Sequence, residues 1–420
     1  MMPKAKKIAC LALGLLLLFP GAAQADEVIP ASNEEKAEQL QIATEYYSDD
    51  LMEPLEEIAE TATEPGANLE LPAKGAALME VSTGRLLYEQ DAHVQLAPAS
   101  ITKVMSLLLI MEAIDNGQFG VDTVVTASDY ACSMGGSQIW LEPGETMTVD
   151  ELLKATAVAS ANDATVALAE LVAGSEEVFV QQMNARAEEL GMQDTHFVNC
   201  TGLDAEGHVT SAYDVAVMSR ALIQHSLIKN YSTIWMDTLR GGQSSLVNTN
   251  KLVRFYPGAT GLKTGTTSQA GSCLAATAEK DGMELVAVVL GCPSSNDRFN
   301  SARKLLDHGY ANWARVTVEV DPALLADIPV KKGMEPSVSV TVEAADSILV
   351  AKGRQGDLVQ NVDLLEEIEA PVYAGQQVGQ IRLTLDEEEV GSVNILAAAT
   401  VERLTFSRAV GRLLSALFTL

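Results

Sequence analysis

Pro98-Ala99-Ser100-Ile101-Thr102-Lys103 runs directly into an apolar stretch that extends from Val104 to Ile114. Proline is excluded from a helix interior and no breaker follows before Gly117, so the segment reads as a turn that opens a helix. Ser100 then falls in the first turn, and Lys103, three residues on, shares its face. A serine hydroxyl is a weak nucleophile unless a base within hydrogen-bond reach takes its proton. A lysine serves as that base once burial and the positive end of a helix pull its pKa well below the ordinary value of about 10.4.

Ser-x-x-Lys alone is a weak signal, and the bland reading is an ordinary helix start. Two further stretches change its weight. Ser160-Ala161-Asn162 begins 60 residues after Ser100, and Lys263-Thr264-Gly265 begins 163 after it. Ser-x-x-Lys, Ser-x-Asn and Lys-Thr-Gly in this order form the signature of penicillin-binding proteins and class A β-lactamases.

The 420 residues allow two or more domains, and a hydrophobic fraction of 47% provides for a sizeable core. A formal net charge of −29 argues against a nucleic-acid partner, which calls for clustered Lys and Arg. Residues 1–25 read as a secretory signal: Lys4, Lys6 and Lys7, then the apolar run Ile8 to Phe19, then Ala23-Gln24-Ala25. Residues 26–70 hold fourteen acidic residues and one base, Lys36, and read as a mobile acidic leader. Beyond the signal, Cys132, Cys200, Cys273 and Cys292 show no zinc-like spacing, and the five histidines are isolated. No metal and no cofactor are expected.

From Pro72 the pattern is globular. Ala76 to Val81 and Arg85 to Glu89 read as paired strands, and Asp150 to Ala161, Ala164 to Val172 and Phe179 to Leu190 as helices. Ser160 and Asn162 thus fall at a helix–helix junction. Gly271 to Ala278 and Glu284 to Gly291 flank Glu279-Lys280-Asp281-Gly282, a hairpin signal, and Arg298 to Tyr310 is a closing helix. Counting that hairpin from its turn places Cys273 opposite Val288 or Val289, with Cys292 too far past register for a disulfide. After Trp313 short alternating runs separated by Gly and Pro indicate a small all-β domain. In Leu404 to Leu420, Phe406, Val410, Leu413, Leu414 and Leu417 share one helical face, with Arg408 and Arg412 opposite, as in an interfacial membrane anchor. The expected organisation is α+β. A signal (1–25) and leader (26–70) precede an antiparallel sheet with a helical cluster (71–314), a β-domain (315–402) and an amphipathic helix (403–420).

The region from about residue 70 to 400 resembles the D-alanyl-D-alanine carboxypeptidases, low-molecular-mass penicillin-binding proteins of serine peptidase family S11. The stretches that carry it are Pro98 to Lys103, Met134-Gly135-Gly136-Ser137-Gln138-Ile139, Ser160 to Ala164, Gly191-Met192-Gln193-Asp194-Thr195-His196-Phe197 and Gly261 to Gly265, with Ala370 to Gly379 in the β-domain. The resemblance implies a β-lactamase/transpeptidase-like domain and a substrate, the peptidoglycan stem peptide ending in D-Ala-D-Ala, with β-lactams as covalent inhibitors. It implies that Ser100 is the nucleophile, Lys103 its base and Ser160 a proton relay. Asn162 would orient the substrate amide and Lys103, and Lys263 would supply positive charge near Ser160 and the terminal carboxylate. The backbone N–H groups of Ser100 and Thr266 would form the oxyanion site beside Gly265. Thr264, Thr266 and Arg298 would hold the carboxylate, because the arginine that some relatives carry in an Asn-Arg-Asn run is Thr249 here.

Two rivals are weighed against this. A class A β-lactamase has nearly the same spacing but needs a glutamate after the second motif, and Asp194 to Asn199 offers none. A silent wall-fragment or β-lactam sensor would have lost part of the trio, which this chain keeps.

Overall fold

A computed structural model describes residues 68–316, 320, 325–343 and 347–411. The expected signal, the leader up to residue 67 and residues 412–420 of the expected terminal helix lie outside the described residues.

Five strands form one antiparallel sheet: β1 (Gly75–Glu80), β2 (Leu86–Gln90), β3 (Ala259–Thr267), β4 (Gly271–Lys280) and β5 (Met283–Cys292), in the order β2-β1-β5-β4-β3. The inner strands are apolar at nearly every position because both faces are covered. On one face Ala77, Met79, Ala275, Val286 and Val288 meet a cluster of five helices. These are α1 (Lys103–Asp115), α2 (Val149–Val158), α3 (Asn162–Ala173), α4 (Glu176–Glu189) and α5 (Ala212–Ile223). On the other face Leu78, Ala276, Leu285 and Val289 meet Phe299, Leu305 and Leu306 of α6 (Ser295–Asn312). Leu69, which the sequence reading puts in the leader, is buried beside Leu71 on this second face.

The hairpin β4–β5 turns at Asp281-Gly282, whose φ angles of +50° and +72° fit the type I′ turn that matches strand twist. Its register departs from the expected one along its length, because the turn is centred on Asp281-Gly282, and departs further at the far end. Leu274 pairs with Val289, but Ser272 pairs with Cys292, so Leu290 and Gly291 bulge opposite Cys273. The bulge brings Cys292 next to Cys273, which a regular ladder would not do. Both thiols are nevertheless free and buried, so the expected chemistry stands while the register argument for it does not.

The chain passes from α6 directly into β6 (Trp313–Val316), which pairs with β10 (Ile348–Ala351). Between them lie β7 (Ile328–Lys331), β8 (Ser337–Val338) and β9 (Val340–Val342). Beyond lie β11 (Val359–Leu364), β12 (Ile368–Glu369), β13 (Gln377–Leu385) and β14 (Glu388–Ala397), and the larger sheet runs β9-β14-β13-β11. Val330, Val378, Ile381, Leu383 and Ile395 form its separate core. Arg403 still bridges Gly333 in this unit, and residues 406–411 are helical, so the helix starts two residues later than the sequence suggests. No described helix is long and apolar enough to cross a membrane.

Candidate active site

Ser100 lies in a 3-10 turn, Ala99–Thr102, and Lys103 opens α1 immediately after it. The turn is held by a histidine that sequence reading left as structural or surface. His208 Nδ1 accepts from Val198 N–H at 2.9 Å, so its Nε2 carries the proton and donates to Thr102 Oγ1 at 2.7 Å. Burial brings its pKa down to about 4, which keeps the ring neutral.

Lys103 is wholly buried. Its Nζ lies 3.1 Å from Ser100 Oγ, 2.5 Å from Asn162 Oδ1 and 2.7 Å from the Thr201 carbonyl oxygen. Burial pulls its pKa down to about 7 against the opposing pull of Cys200 and Asp163. The Cys200 thiol is itself pushed well up by burial and stays neutral. Sequence reading foresaw Lys103 and Asn162 as neighbours. It missed Thr201, because a main-chain carbonyl leaves no signature in residue type. Gly202 beside it could not be another residue, since a Cβ there would stand 1.8 Å from the Ala99 carbonyl oxygen.

The helix break between α2 and α3 places the second motif. Ser160 has a φ of +62°, unusual for a residue with a side chain, and its buried Oγ has no hydrogen-bond partner among the described residues. Such an unsatisfied hydroxyl at a strained position is a mark of a functional group awaiting a ligand. Asn162 is locked on its far side: its Nδ2 donates to Gly135 O and its N–H to Ser137 O, both at 2.6 Å. That loop, the Met134 to Ile139 stretch, is held in turn by Asp163, which accepts from Ile139 N–H and Leu141 N–H.

Strand β3 brings the third motif against the nucleophile. A Cβ on Gly265 would stand 3.0 Å from the Ser100 and Ile101 nitrogens, so only glycine lets the strand pass this close. Lys263 is buried, and its Nζ donates to the Thr264 carbonyl at 3.0 Å. Burial and then the charges of Lys103 and Arg298 hold its pKa well below the usual lysine value. The sequence points to burial and positive neighbours as the causes of a depressed Lys103; burial is the cause found there, and the repulsion between the lysines is felt at Lys263. No hydrogen bond joins Lys263 to Ser160. Thr264 Oγ1 lies 2.6 Å from Thr249 Oγ1, and Arg298 donates to Thr266 Oγ1 at 2.8 Å and to Gly265 O at 3.3 Å. The departure at Thr249 therefore sits on the Lys-Thr-Gly strand itself.

The first two motifs thus bring together a hydroxyl, a low-pKa amine and an amide, and the third sets two basic side chains and threonine hydroxyls close to the nucleophile. Among the described residues no cluster of His, Cys, Asp and Glu could hold a metal. Asp194, the only carboxylate in the stretch where a β-lactamase needs its glutamate, is paired at the surface with His93.

Residues 59–294 match the family model for D-alanyl-D-alanine carboxypeptidase, and residues 319–403 match that for the C-terminal domain of penicillin-binding protein 5. The chain is 42% identical over 338 residues to a D-alanyl-D-alanine carboxypeptidase (DacF) of Bacillus subtilis, covering 80% of this chain and 87% of the relative. Penicillin-binding protein 5 of Haemophilus influenzae superposes with a TM-score of 0.68 at 28% identity, covering 80% of this chain and 99% of that one. Penicillin-binding protein D2 of Listeria monocytogenes, in its ampicillin-bound form, superposes with a TM-score of 0.53 at 32% identity, covering 58% and 100%. The chain belongs to peptidase family S11, the low-molecular-mass penicillin-binding D-alanyl-D-alanine carboxypeptidases.

Proposed function

We propose that this serine carboxypeptidase removes the terminal D-alanine of peptidoglycan stem peptides through an ester on Ser100. The observation that carries the mechanism is the environment of Lys103 Nζ. A neutral amine has two hydrogens and one lone pair. Asn162 Oδ1 and the Thr201 carbonyl are fixed acceptors that take both hydrogens, which leaves the lone pair for the Ser100 hydroxyl. Ser100 Oγ attacks the carbonyl between the two D-alanines while its proton passes to Lys103. The oxyanion forms between the N–H groups of Ser100 and Thr266, beside Gly265. Ser160 Oγ hands a proton to the departing amine, and water then attacks the ester.

Charge explains the preference for a free terminus. Lys103, Lys263 and Arg298 repel one another. No carboxylate bonds to either lysine among the described residues. A terminal carboxylate held by Thr264, Thr266 and Arg298 supplies the missing negative charge and favours the ammonium form of Lys263. Lys103, with its hydrogens committed, remains the base. β-Lactams acylate the same serine. The protein acts outside the cytoplasm, exported by residues 1–25 and held at the outer membrane surface by its terminal helix. Incubation with a pentapeptide ending in D-Ala-D-Ala should release free D-alanine; a protein that binds the peptide and releases none overturns the reading.

A further inference from the structure

The Thr201 carbonyl completes the base, so whatever holds that carbonyl matters to the reaction. The segment Asn199 to Gly202 is short and has no regular structure. Asn199 Oδ1 accepts from Thr201 N–H at 3.2 Å and Gly202 N–H at 2.6 Å, which closes the turn on itself but does not fix where it sits. Two contacts tie Cys200 to the helices. Its carbonyl accepts from Ser106 Oγ of α1 at 2.6 Å, and its N–H donates to Glu176 Oε1 of α4 at 2.9 Å. Glu176 is held by a second contact, from Tyr130 O–H to its other carboxylate oxygen at 2.5 Å. As the first residue of α4, it also faces the positive end of a helix.

We propose that Glu176 is a positioning residue of this enzyme: by fixing the Cys200 main chain it sets the Thr201 carbonyl against Lys103 Nζ and so aims the lone pair at Ser100. The inference rests on the assignment of Lys103 as base. Glu176 touches neither substrate nor the reacting atoms, and Tyr130 supports it from a half-exposed position. Glu177, next along the same turn of α4, is exposed and makes no contact with the segment among its hydrogen bonds, so it serves as the control for charge and helix effects.

The test is the rate of Ser100 acylation by a penicillin, followed by stopped flow from about pH 5 to pH 9 so that the acid limb is covered. The titratable groups facing Lys103 are Asp163, Cys200 and Lys263, and all are retained in every variant. Glu176→Ala lets the carbonyl drift, and the plateau rate falls roughly 10- to 100-fold, as expected for a sub-ångström to 1 Å misplacement of a reacting group. An ammonium that loses an acceptor is less stable, so the apparent pKa of the acid limb also moves down. Glu176→Gln keeps an acceptor for Cys200 N–H and recovers most of the rate. Glu177→Ala follows the wild-type curve.

Superposition of Glu176→Ala on the wild-type profile overturns the proposal, and so does an equal loss in Glu177→Ala. A lower plateau with no shift of the limb, unrecovered in Glu176→Gln, assigns Glu176 a general structural role and overturns it too. If Glu176→Ala does not fold, Tyr130→Phe decides: a smaller loss with the same downward shift supports the proposal, and wild-type behaviour overturns it. A wild-type profile that shows no rise through neutral pH removes Lys103 as base instead, a separate failure from that of Glu176.

Discussion

The peptidase region and the β-region treat polar groups in opposite ways. Between residues 71 and 312 the interior holds the charged side chains of Glu80, Lys103, Asp163, Asp214, Lys251, Lys263 and Arg298, and four of them, Lys103, Asp163, Lys263 and Arg298, belong to the candidate site. Between residues 313 and 411 no polar or charged side chain is buried among the described residues. Its ion pairs, such as Arg354 with Asp386 and Arg382 with Asp363, all lie at the surface, where solvent screens them and each contributes little to stability. A buried lysine destabilises the folded state, and a fold retains one only where another requirement outweighs that cost. The contrast separates a region shaped by chemistry from one shaped only by packing.

If the contrast is right, the largest losses of activity come from the cleft. Ser100→Ala should abolish both D-alanine release and covalent labelling by penicillin, with an unchanged melting temperature. Mass spectrometry should place the wild-type adduct on the Ser100 peptide, and an adduct on any other residue would break the assignment.

Lys103→Arg comes next, with a loss of about 10³-fold or more, because a guanidinium does not deprotonate in this range. The sign of the wild-type pH dependence follows from the same group. Lys103 accepts the proton only as a neutral amine, and burial has brought its pKa down to about 7. The acylation rate should therefore rise with pH through about 7 and then level off; a rate that falls across that window would contradict it.

The divide between regions also marks what was legible in the sequence. Ser100, Lys103, Ser160, Asn162 and Lys263 were legible as candidates because the proposed chemistry demands those residue types at those spacings. The hairpin was readable from Glu279-Lys280-Asp281-Gly282, but the positive φ angles at Asp281 and Gly282 centre its turn one residue later than Lys280-Asp281. Thr201 and Glu176 were not. One acts through its main chain, and the other is one of two adjacent glutamates, Glu176 and Glu177, that the sequence does not tell apart. Helix α5 was also missed, although Ser211 accepts from Asp214 N–H as an N-cap and Val215, Met218 and Leu222 fall at helical spacing behind it. The bulge opposite Cys273 was invisible because alternation cannot register one extra residue on a strand that is apolar on both faces.

The join between the two regions gives an effect on stability without one on chemistry. Leu349 of β10 is buried not in the β-region core but in the α6-side core of the peptidase region. Arg85 of the peptidase region stacks over the Trp313 ring at 4.6 Å. Leu349→Ala should cost about 2–4 kcal/mol, the usual penalty for a fully buried leucine, and lower the melting temperature. Turnover of a soluble peptide per folded molecule should not change. A parallel fall in kcat would mean that the β-region shapes the cleft, and the separation drawn above would fail.

The smallest expected effect on chemistry belongs to the chain beyond the β-region. Residues 406–411 are helical, and Phe406 is 86% exposed, so the apolar side of this helix is not covered by the protein where it begins. In the sequence the same stripe continues through Leu413, Leu414 and Leu417, with Arg408 and Arg412 on the opposite face. Two arginines in so short a segment disfavour a span of the bilayer, whereas a helix lying in the interface satisfies both faces and draws on anionic headgroups. On this proposal the net charge of −29 on the chain would be repelled by those headgroups and would hold the peptidase region off the surface. Deleting 404–420 should thus leave soluble-peptide turnover unchanged and shift the protein from the membrane to the soluble fraction. Leu413→Asp with Leu417→Asp should do the same, because it removes the stripe and leaves the arginines in place. A truncated protein that still sediments with membranes after signal cleavage would reassign the helix to a protein partner.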